Sequence, residues 1–374
     1  MSTVVYPAAW QRMNVALAHD WLTGMRGGER VLEWLCRGFP GAPILTLIHN
    51  PVAVSPIINA HPIHTSWLQH VPGIYRRYRH FLLLYPHAVA SLPRPEADVL
   101  ISTSHCVAKS LRVRPDAKHL CYCFTPMRYA WLFHDEYLGR NPFKRALVAP
   151  LMAGLRHWDR ATAARVDRFV TLSRHVQDRI RRFYGREADV VYPPVDVEFF
   201  TPGLAEAHGG YDLIVSALVP YKRVDLAVRA YAQLGWPLKI AGTGTDFSAL
   251  QRMAGPNIQF LGWQDDAQLR ELYRGCRLLV FPGEEDFGIV PLEAHACGRP
   301  VVALARGGAL ETIRAGETGV FFKEQTVTAL LAAVTEAAAH HWSRAVLRRQ
   351  AECFTPQQFI DGLNVSLEKC LAGA

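Results

Sequence analysis

The stretch FPGEEDFGIVPLEAHACGRP, residues 281–300, holds a conflict that an ordinary core would not tolerate. Leu278, Leu279, Val280 and Phe281 read as a short buried strand, stopped by Pro282 and Gly283. A helix must begin near Gly288, and Pro291 fits its first turn, where an amide hydrogen would be unpaired anyway. Three acids, Glu284, Glu285 and Asp286, precede that helix, and Glu293 sits inside it between Leu292 and Ala294. A carboxylate buried there without a partner would cost several kcal/mol, so it calls for a hydrogen-bond donor, and sugar hydroxyls would serve. The amides around Phe287, Gly288 and Ile289 point out of a helix N-terminus, a seat for a phosphate. A purely structural alternative has Asp286 capping the helix and Glu293 reaching solvent along an exposed edge.

Outward from this stretch, strands near 212–217, 238–241, 258–261, 277–281, 301–304 and 319–322 alternate with helical segments. Such alternation predicts a parallel, doubly wound α/β sheet, whose ligands bind beyond the carboxyl ends of the strands. Toward the N-terminus the pattern repeats, with strands at 14–18, 43–48, 97–102, 119–124 and 168–172. A helix from about Glu29 to Cys36 follows the first of them, and Ser173 caps another that ends at Gly185. At 374 residues the chain has room for two domains. Pro193 and Pro194 form a stiff crossover between them. We therefore place a first domain over 1–190, a second over 191–354, and a final amphipathic helix over 355–374. Residues 1–12 show no periodicity and read as a frayed extension.

The order Glu285, Asp286, Phe287, Gly288, Ile289, then Glu293 and Ala294, followed by Gly298, Pro300 and Val301, resembles the signature of retaining glycosyltransferases of family four. The resemblance covers nearly the whole chain and is strongest from about 211 to 320. It implies the GT-B fold, two Rossmann-like doubly wound domains facing a central cleft, with the last helix crossing back onto the N-terminal domain. It also implies that Glu285 contacts the donor sugar, that the amides of Phe287, Gly288 and Ile289 meet sugar and diphosphate, and that Glu293 holds the nucleotide ribose.

Lys222 and Arg223 stand at the start of a helix, Val224 to Ala232, where cations oppose the helix dipole unless an anion is present. A donor diphosphate would supply that anion; two solvated side chains are the plainer account. The family's loop carries an Arg five residues before this Lys, and here that position is Ala217, so Arg223 is the nearest replacement. The turns Gly242 to Gly244 and Gly262 to Trp263 lie at strand ends where backbone meets nucleotide, although a glycine pair is commonly just a turn. In the N-terminal half, strand one runs into His19, Asp20 and Trp21, and Gly24, Gly27 and Gly28 form a loop before the first helix. That is where the family places acceptor-side contacts, so Asp20, Gly27, Gly28, His105 and Arg128 are the acceptor or cleft candidates. Phe124 stands where many relatives have a histidine near the reacting centre; His19, His105 or Arg128 would have to fill that role.

Composition narrows the partners. Half the residues are hydrophobic and one fifth charged, as in ordinary globular proteins. No apolar run approaches the length of about eighteen residues that spans a bilayer, which predicts a cytoplasmic protein. Eight cysteines without a CxxC pair read as reduced structural thiols. Sixteen histidines show no ligand spacing, so neither metal nor cofactor is expected. Residues 1–185 carry 24 Lys and Arg against 11 Asp and Glu, residues 186–374 carry 17 against 22. A basic first half suits a phosphate-bearing acceptor or an anionic membrane surface, and no nucleic-acid motif accompanies it. Within it, residues 73–92 interleave Arg76, Arg77 and Arg79 with Tyr75, Tyr78, Phe81, Leu82, Leu83, Leu84 and Tyr85. This reads as a core-packing helix with a basic rim, or as a segment lying at the inner face of the membrane.

The resemblance thus implies transfer of a hexose from a nucleotide-diphosphate sugar to a saccharide acceptor, without metal and with retention. Its mannosyltransferase-like branch implies GDP-mannose and a lipid-linked acceptor in surface polysaccharide biosynthesis. A UDP-sugar donor, a nucleotide-sugar 2-epimerase and a catalytically silent nucleotide-sugar-binding subunit are the alternatives.

Overall fold

The computed structural model describes residues 4–132, 142–203 and 209–373, the side chains of 142–147 excepted. It divides into two compact units, Val4–Tyr192 with the chain from Phe359 on, and Pro193–Gln358. The crossover at Pro193 coincides with the proline pair.

The first unit is built on seven parallel strands: β1 Val15–His19, β2 Ile44–Thr46, β3 Ile63–Thr65, β4 Val99–Ser104, β5 Lys118–Cys123, β6 Arg168–Thr171 and β7 Ala188–Val190. Their order is β3-β2-β1-β4-β5-β6-β7, so the winding reverses between β1 and β4. Leu17 pairs with Ile44 on one side and Ile101 on the other, and every residue of β1 and β4 is buried. A strand covered on both faces reads as a continuous apolar run, which is why 14–18 was recognisable. Strands β3 and β7, with three residues each and the sequences IHT and ADV, carry no such run and are not anticipated by the sequence.

Three expectations are corrected here. The first helix spans Gly27–Gly38, so Gly27 and Gly28 are its opening residues and not part of a preceding loop. The segment 73–92 is not one helix: it breaks into the turn Ile74–Arg77, a 3-10 stretch Tyr78–Leu84 and the helix Tyr85–Ala90. Tyr78 and Tyr85 are buried against Trp21, while Tyr75, Leu83 and Leu84 are exposed. Residues 4–12 are docked and not frayed. Trp10 is buried, stacks on Phe39 at 4.5 Å and donates Nε1–H to Asn364 Oδ1 at 2.8 Å. A Cβ at Gly38 would fall 2.7 Å from the Trp10 ring, so that glycine makes room for the indole. The docking surface comes from residues far along the chain, which a local pattern cannot show.

The second unit has six parallel strands, β8 Tyr211–Val215, β9 Leu238–Ala241, β10 Ile258–Gly262, β11 Cys276–Phe281, β12 Val301–Leu304 and β13 Gly319–Phe322. The order β10-β9-β8-β11-β12-β13 repeats the first arrangement, with reversal between β8 and β11. Its core joins Ile214, Leu278, Val280 and Val302 from the sheet to Val228 and Tyr231 of the helix Val224–Leu234. The last helix, Pro356–Ala372, belongs with the first unit from Phe359 on, where Phe359 meets Tyr122 edge-on. All eight cysteines are free thiols, and seven are buried.

Candidate active site

In the second unit the chain leaves neighbouring strands β8 and β11 on either side of the reversal point, where doubly wound sheets leave a crevice. The exit of β8 turns through the 3-10 helix Pro220–Lys222, and the exit of β11 runs Pro282 to Glu285. A Cβ at Gly283 would lie 2.9 Å from Lys222 Cα, so glycine there lets the two backbones close up. Lys222 Nζ consequently pairs with Glu285 Oε1, both side chains about one sixth exposed. Gly307 and Gly308 pack as tightly on the other side. Gly308 N–H donates to Glu285 O at 2.8 Å, and a Cβ on Gly307 would meet that same oxygen at 2.3 Å.

Arg223 is the one non-glycine residue among those described with positive φ, 53°. Such a conformation costs on the order of 1–3 kcal/mol. Its Nε donates to Asp225 Oδ1 at 3.1 Å and its NH1 to Gln325 Oε1 at 3.2 Å, while Gln325 Nε2 donates to Pro282 O at 3.3 Å. The guanidinium thus ties the first turn of its helix to the exit of β11. The anions that the two cations call for at this helix start are present within the protein, as Glu285 and Asp225. Ala217, where the family carries its arginine, is exposed.

The helix after β11 spans Ile289–Ala296, with Gly288 as its N-cap at φ 109°. The N-cap glycine has no side chain to cap the helix. Glu293 does not reach solvent along an exposed edge: it is 7% exposed, and Tyr273 Oη donates to its Oε2 at 2.7 Å. Burial, followed by the Glu293 charge, pushes the Tyr273 hydroxyl pKa well up, so it stays a donor. Tyr273 is a partner that sequence reasoning missed; its helix, Asp266–Gly275, gave no signal beyond amphipathicity.

The exits of β8, β9 and β10 interlock through glycines. A Cβ on Gly242 would fall 1.9 Å from Ser216 O and one on Gly244 2.1 Å from Leu218 O. Gly242 N–H donates to Gly262 O at 2.7 Å. Trp263, next along, is 72% exposed. Phe287 is buried and meets Phe354 edge-on at 5.7 Å.

The first unit presents its own group beyond β1 and β4. Asp20 is fully buried, and its carboxylate accepts the backbone N–H groups of His105, Cys106, Val107 and Ala108 at 2.6–2.9 Å. His105 Nδ1 adds a contact at 3.0 Å. Burial alone would raise the Asp20 pKa, but the His105 imidazole and amide hold it well below the usual carboxylate range. His105 stands edge-on to Trp21, is partly exposed, and among the described residues nothing bonds its Nε2.

His19 is different. Thr103 donates its hydroxyl to Ala18 O at 3.0 Å, so it accepts from His19 Nδ1–H at 2.7 Å. Burial lowers the His19 pKa to about 4 and leaves a neutral ring whose Nε2 lies 4.0 Å from Glu29 Oε1. Phe124 packs against His19 and His105, and a Cβ on Gly28 would come within 3.2 Å of it. Gly27 has nothing within 4 Å of its Cβ position. Arg128 opens the short helix Arg128–Trp131 after β5. Among the described residues no group of three or more His, Cys, Asp or Glu could hold a metal ion.

The family model for glycosyl transferases group 1 matches residues 209–352, the region that contains Lys222, Glu285 and Glu293. The match covers 144 of the 374 residues. Among curated proteins, D-inositol 3-phosphate glycosyltransferase of Rhodococcus opacus is 31% identical over 239 residues, 55% of this chain and 54% of that protein. The chain spans about half the length of the curated relatives it matches. Sucrose-phosphate synthase from Thermosynechococcus elongatus superposes with a TM-score of 0.72 at 17% identity, over 97% of this chain and 100% of that one. Alr3699/HepE from Anabaena, in complex with UDP and glucose, gives 0.67 at 17% identity, over 95% and 99%. These likenesses show the fold, which is GT-B. Within the matched region, Lys222 and Glu285 lie on the edge beyond β8 and β11.

Proposed function

We propose that this protein is a retaining glycosyltransferase that moves a hexose from a nucleotide-diphosphate sugar to a saccharide acceptor. The observation that carries the reading is the pairing of Lys222 with Glu285 beside the start of helix Ile289–Ala296, whose N-cap is a glycine. A cation and the outward-facing amides of a helix N-terminus at one strand exit suit a diphosphate, and a carboxylate beside them suits sugar hydroxyls. As the bond from the anomeric carbon to the phosphate oxygen breaks, negative charge grows on the leaving phosphate. Lys222 and the amides near Gly288 stabilise it. The acceptor oxygen bonds to the same face of the anomeric carbon, and its proton passes to the departing phosphate. The reading assigns no metal or cofactor to this step. Glu293, held by Tyr273, is assigned to the ribose, and Gly242, Gly244, Gly262 and Trp263 to the nucleotide side.

On the first unit we assign His105, presented by Asp20, to the polar role that Phe124 cannot perform. His19 is unsuited because it is sealed under Phe124 and Gly28. Gly27, Gly28 and Arg128 complete the acceptor side. We further assign a lipid-linked acceptor, brought to an anionic membrane surface by exposed Trp67, Tyr75, Leu83 and Leu84 among the arginines of 76–79. Among the described residues no helix is long and apolar enough to cross a membrane.

GDP-mannose is the donor we favour, from the resemblance of the whole chain to the mannosyltransferase branch. The Anabaena neighbour bound to UDP and glucose supports a UDP-hexose as the second reading. A thermal-shift series with GDP, UDP, ADP and their sugar conjugates tests both, because a ligand that binds only the native state raises the Tm by mass action. A selective shift with GDP-mannose is expected. A preference for UDP conjugates overturns the mannose assignment, and no shift with any nucleotide overturns the donor site.

A further inference from the structure

A cavity of about 280 Å³ lies in the first unit, away from the strand exits described above. Arg94, Arg112 and Arg165 line it, together with Trp158, Leu111 and Val89. Each arginine sits on a segment that leads into the amino end of a strand: Arg94 before β4, Arg112 before β5 and Arg165 before β6. His19, Asp20 and His105, at the carboxyl ends of β1 and β4, do not line it. Among the described residues none of these three guanidinium groups makes an ion pair. Arg165 NH1 donates to Ser110 O, which fixes one guanidinium at the mouth. Burial, and then the charge of Arg112, lowers the Arg165 pKa.

We propose that this cavity is a second ligand site, taking a phosphate monoester or diphosphate carried on an apolar stem. Three guanidinium groups around one opening match phosphate oxygens, which accept pairs of N–H donors in the plane of the fork. Trp158, Leu111 and Val89 add a smaller apolar wall beside the arginines, where the first carbons of a stem can lie. The volume holds a head group and the first carbons of a stem. Like-charge repulsion among the arginines in the empty site is relieved on binding, so the affinity falls with added salt. The same chemistry occurs in a soluble phosphoester and in a lipid head group, and the test separates them.

Titration calorimetry of the full chain with octyl phosphate and with inorganic phosphate is the first arm. Co-sedimentation with phosphatidylcholine vesicles, with and without phosphatidic acid, is the second. Arg94→Ala with Arg112→Ala is the informative variant, since neither side chain bonds to the protein among the described residues and the fold should persist. We expect the variant to bind octyl phosphate about tenfold or more weakly, and the wild type to prefer octyl phosphate to inorganic phosphate. Loss of vesicle binding in the variant assigns the lipid source; a change with octyl phosphate alone assigns a soluble phosphoester. Equal behaviour of wild type and variant in both arms overturns the proposal, as does equal affinity for octyl and inorganic phosphate. Donor-nucleotide shifts should be the same in both proteins, so this test and that of the donor site fail independently.

Discussion

The His105 imidazole is held by the Asp20 carboxylate, Nδ1 to Oδ2 at 3.0 Å, and the same carboxylate accepts four consecutive backbone N–H groups. Asp20→Asn turns one acceptor into an NH2 donor that must face amide donors, whichever way it is flipped. The expected loss is about 3 kcal/mol of stability, read as a lower urea midpoint. Because the folded pKa is depressed, this stabilisation is complete above the ordinary carboxylate pKa and declines as pH falls below it. His105→Ala keeps the four amide bonds to Asp20, so it should lower the midpoint by less than Asp20→Asn does, and it should lower kcat. An unaltered kcat in His105→Ala would remove it from the reaction.

Acid sensitivity should begin at a higher pH than any carboxylate explains. His19, His119 and His295 are all buried, and burial lowers each pKa from 6.5 to about 4. Between those values the unfolded chain binds protons that the native state refuses, so stability rises with pH across the window and is lost as pH drops from 6.5 toward 4. Each histidine contributes up to about 1.4 kcal/mol per pH unit inside the window. Urea melts at intervals across it should steepen accordingly. His119→Asn should flatten the slope, and an identical slope would rule out that histidine as a contributor.

Lys109 and Asp159 form an ion pair at 2.8 Å, both about 1% exposed or less. Trp131 Nε1 and Tyr184 Oη donate to the other carboxylate oxygen, each at 2.8 Å. Removing either charge leaves the other buried and uncompensated, so Lys109→Met or Asp159→Asn should cost about 3–5 kcal/mol. The double variant should lose less than the sum of the two singles. Strict additivity in a double-mutant cycle would show that the pair does not act as one unit.

The elements with a clear period or a clear terminator were legible in the sequence. Buried strands such as Val15–His19 and Val301–Leu304 read as apolar runs, and Ser173 and Gly185 bound their helix as expected, the latter at φ 66°. What the sequence could not convey was partnership across distance. Trp10 looked like part of a loose end because Phe39 and Asn364 are not its neighbours in the chain. Glu293 looked in need of a ligand because Tyr273 lies on a different helix. Arg223 looked available for a phosphate, yet Asp225 and Gln325 hold it, and only a dihedral angle reveals its left-handed backbone.

Lys222→Ala and Glu293→Ala separate charge from scaffold at the donor site. Lys222 is partly exposed and contacts Glu285, so its loss should spare the fold and abolish turnover. Glu293→Ala removes the acceptor for the buried Tyr273 hydroxyl and should also cost about 1–3 kcal/mol of stability. Tyr273→Phe should weaken nucleotide binding with a smaller loss of stability. Near-normal rates in both alanine variants would sink the transferase assignment.

The glycines of the β9 exit should be less replaceable than those that open the first helix. At Gly242 a Cβ would lie 1.9 Å from a backbone oxygen, at φ 138°, where no side-chain motion can relieve the clash. Gly242→Ala must therefore separate the exits of β8 and β9 and stretch the bond from Gly242 to Gly262. The expected cost is about 3 kcal/mol or more, and nucleotide-induced shifts in Tm should vanish with it. Gly27→Ala adds a methyl to open space on an ordinary helical residue, so it should change stability by no more than about 0.5 kcal/mol. If the two variants melt and bind nucleotide alike, the close approach of these strand exits is not what shapes the site.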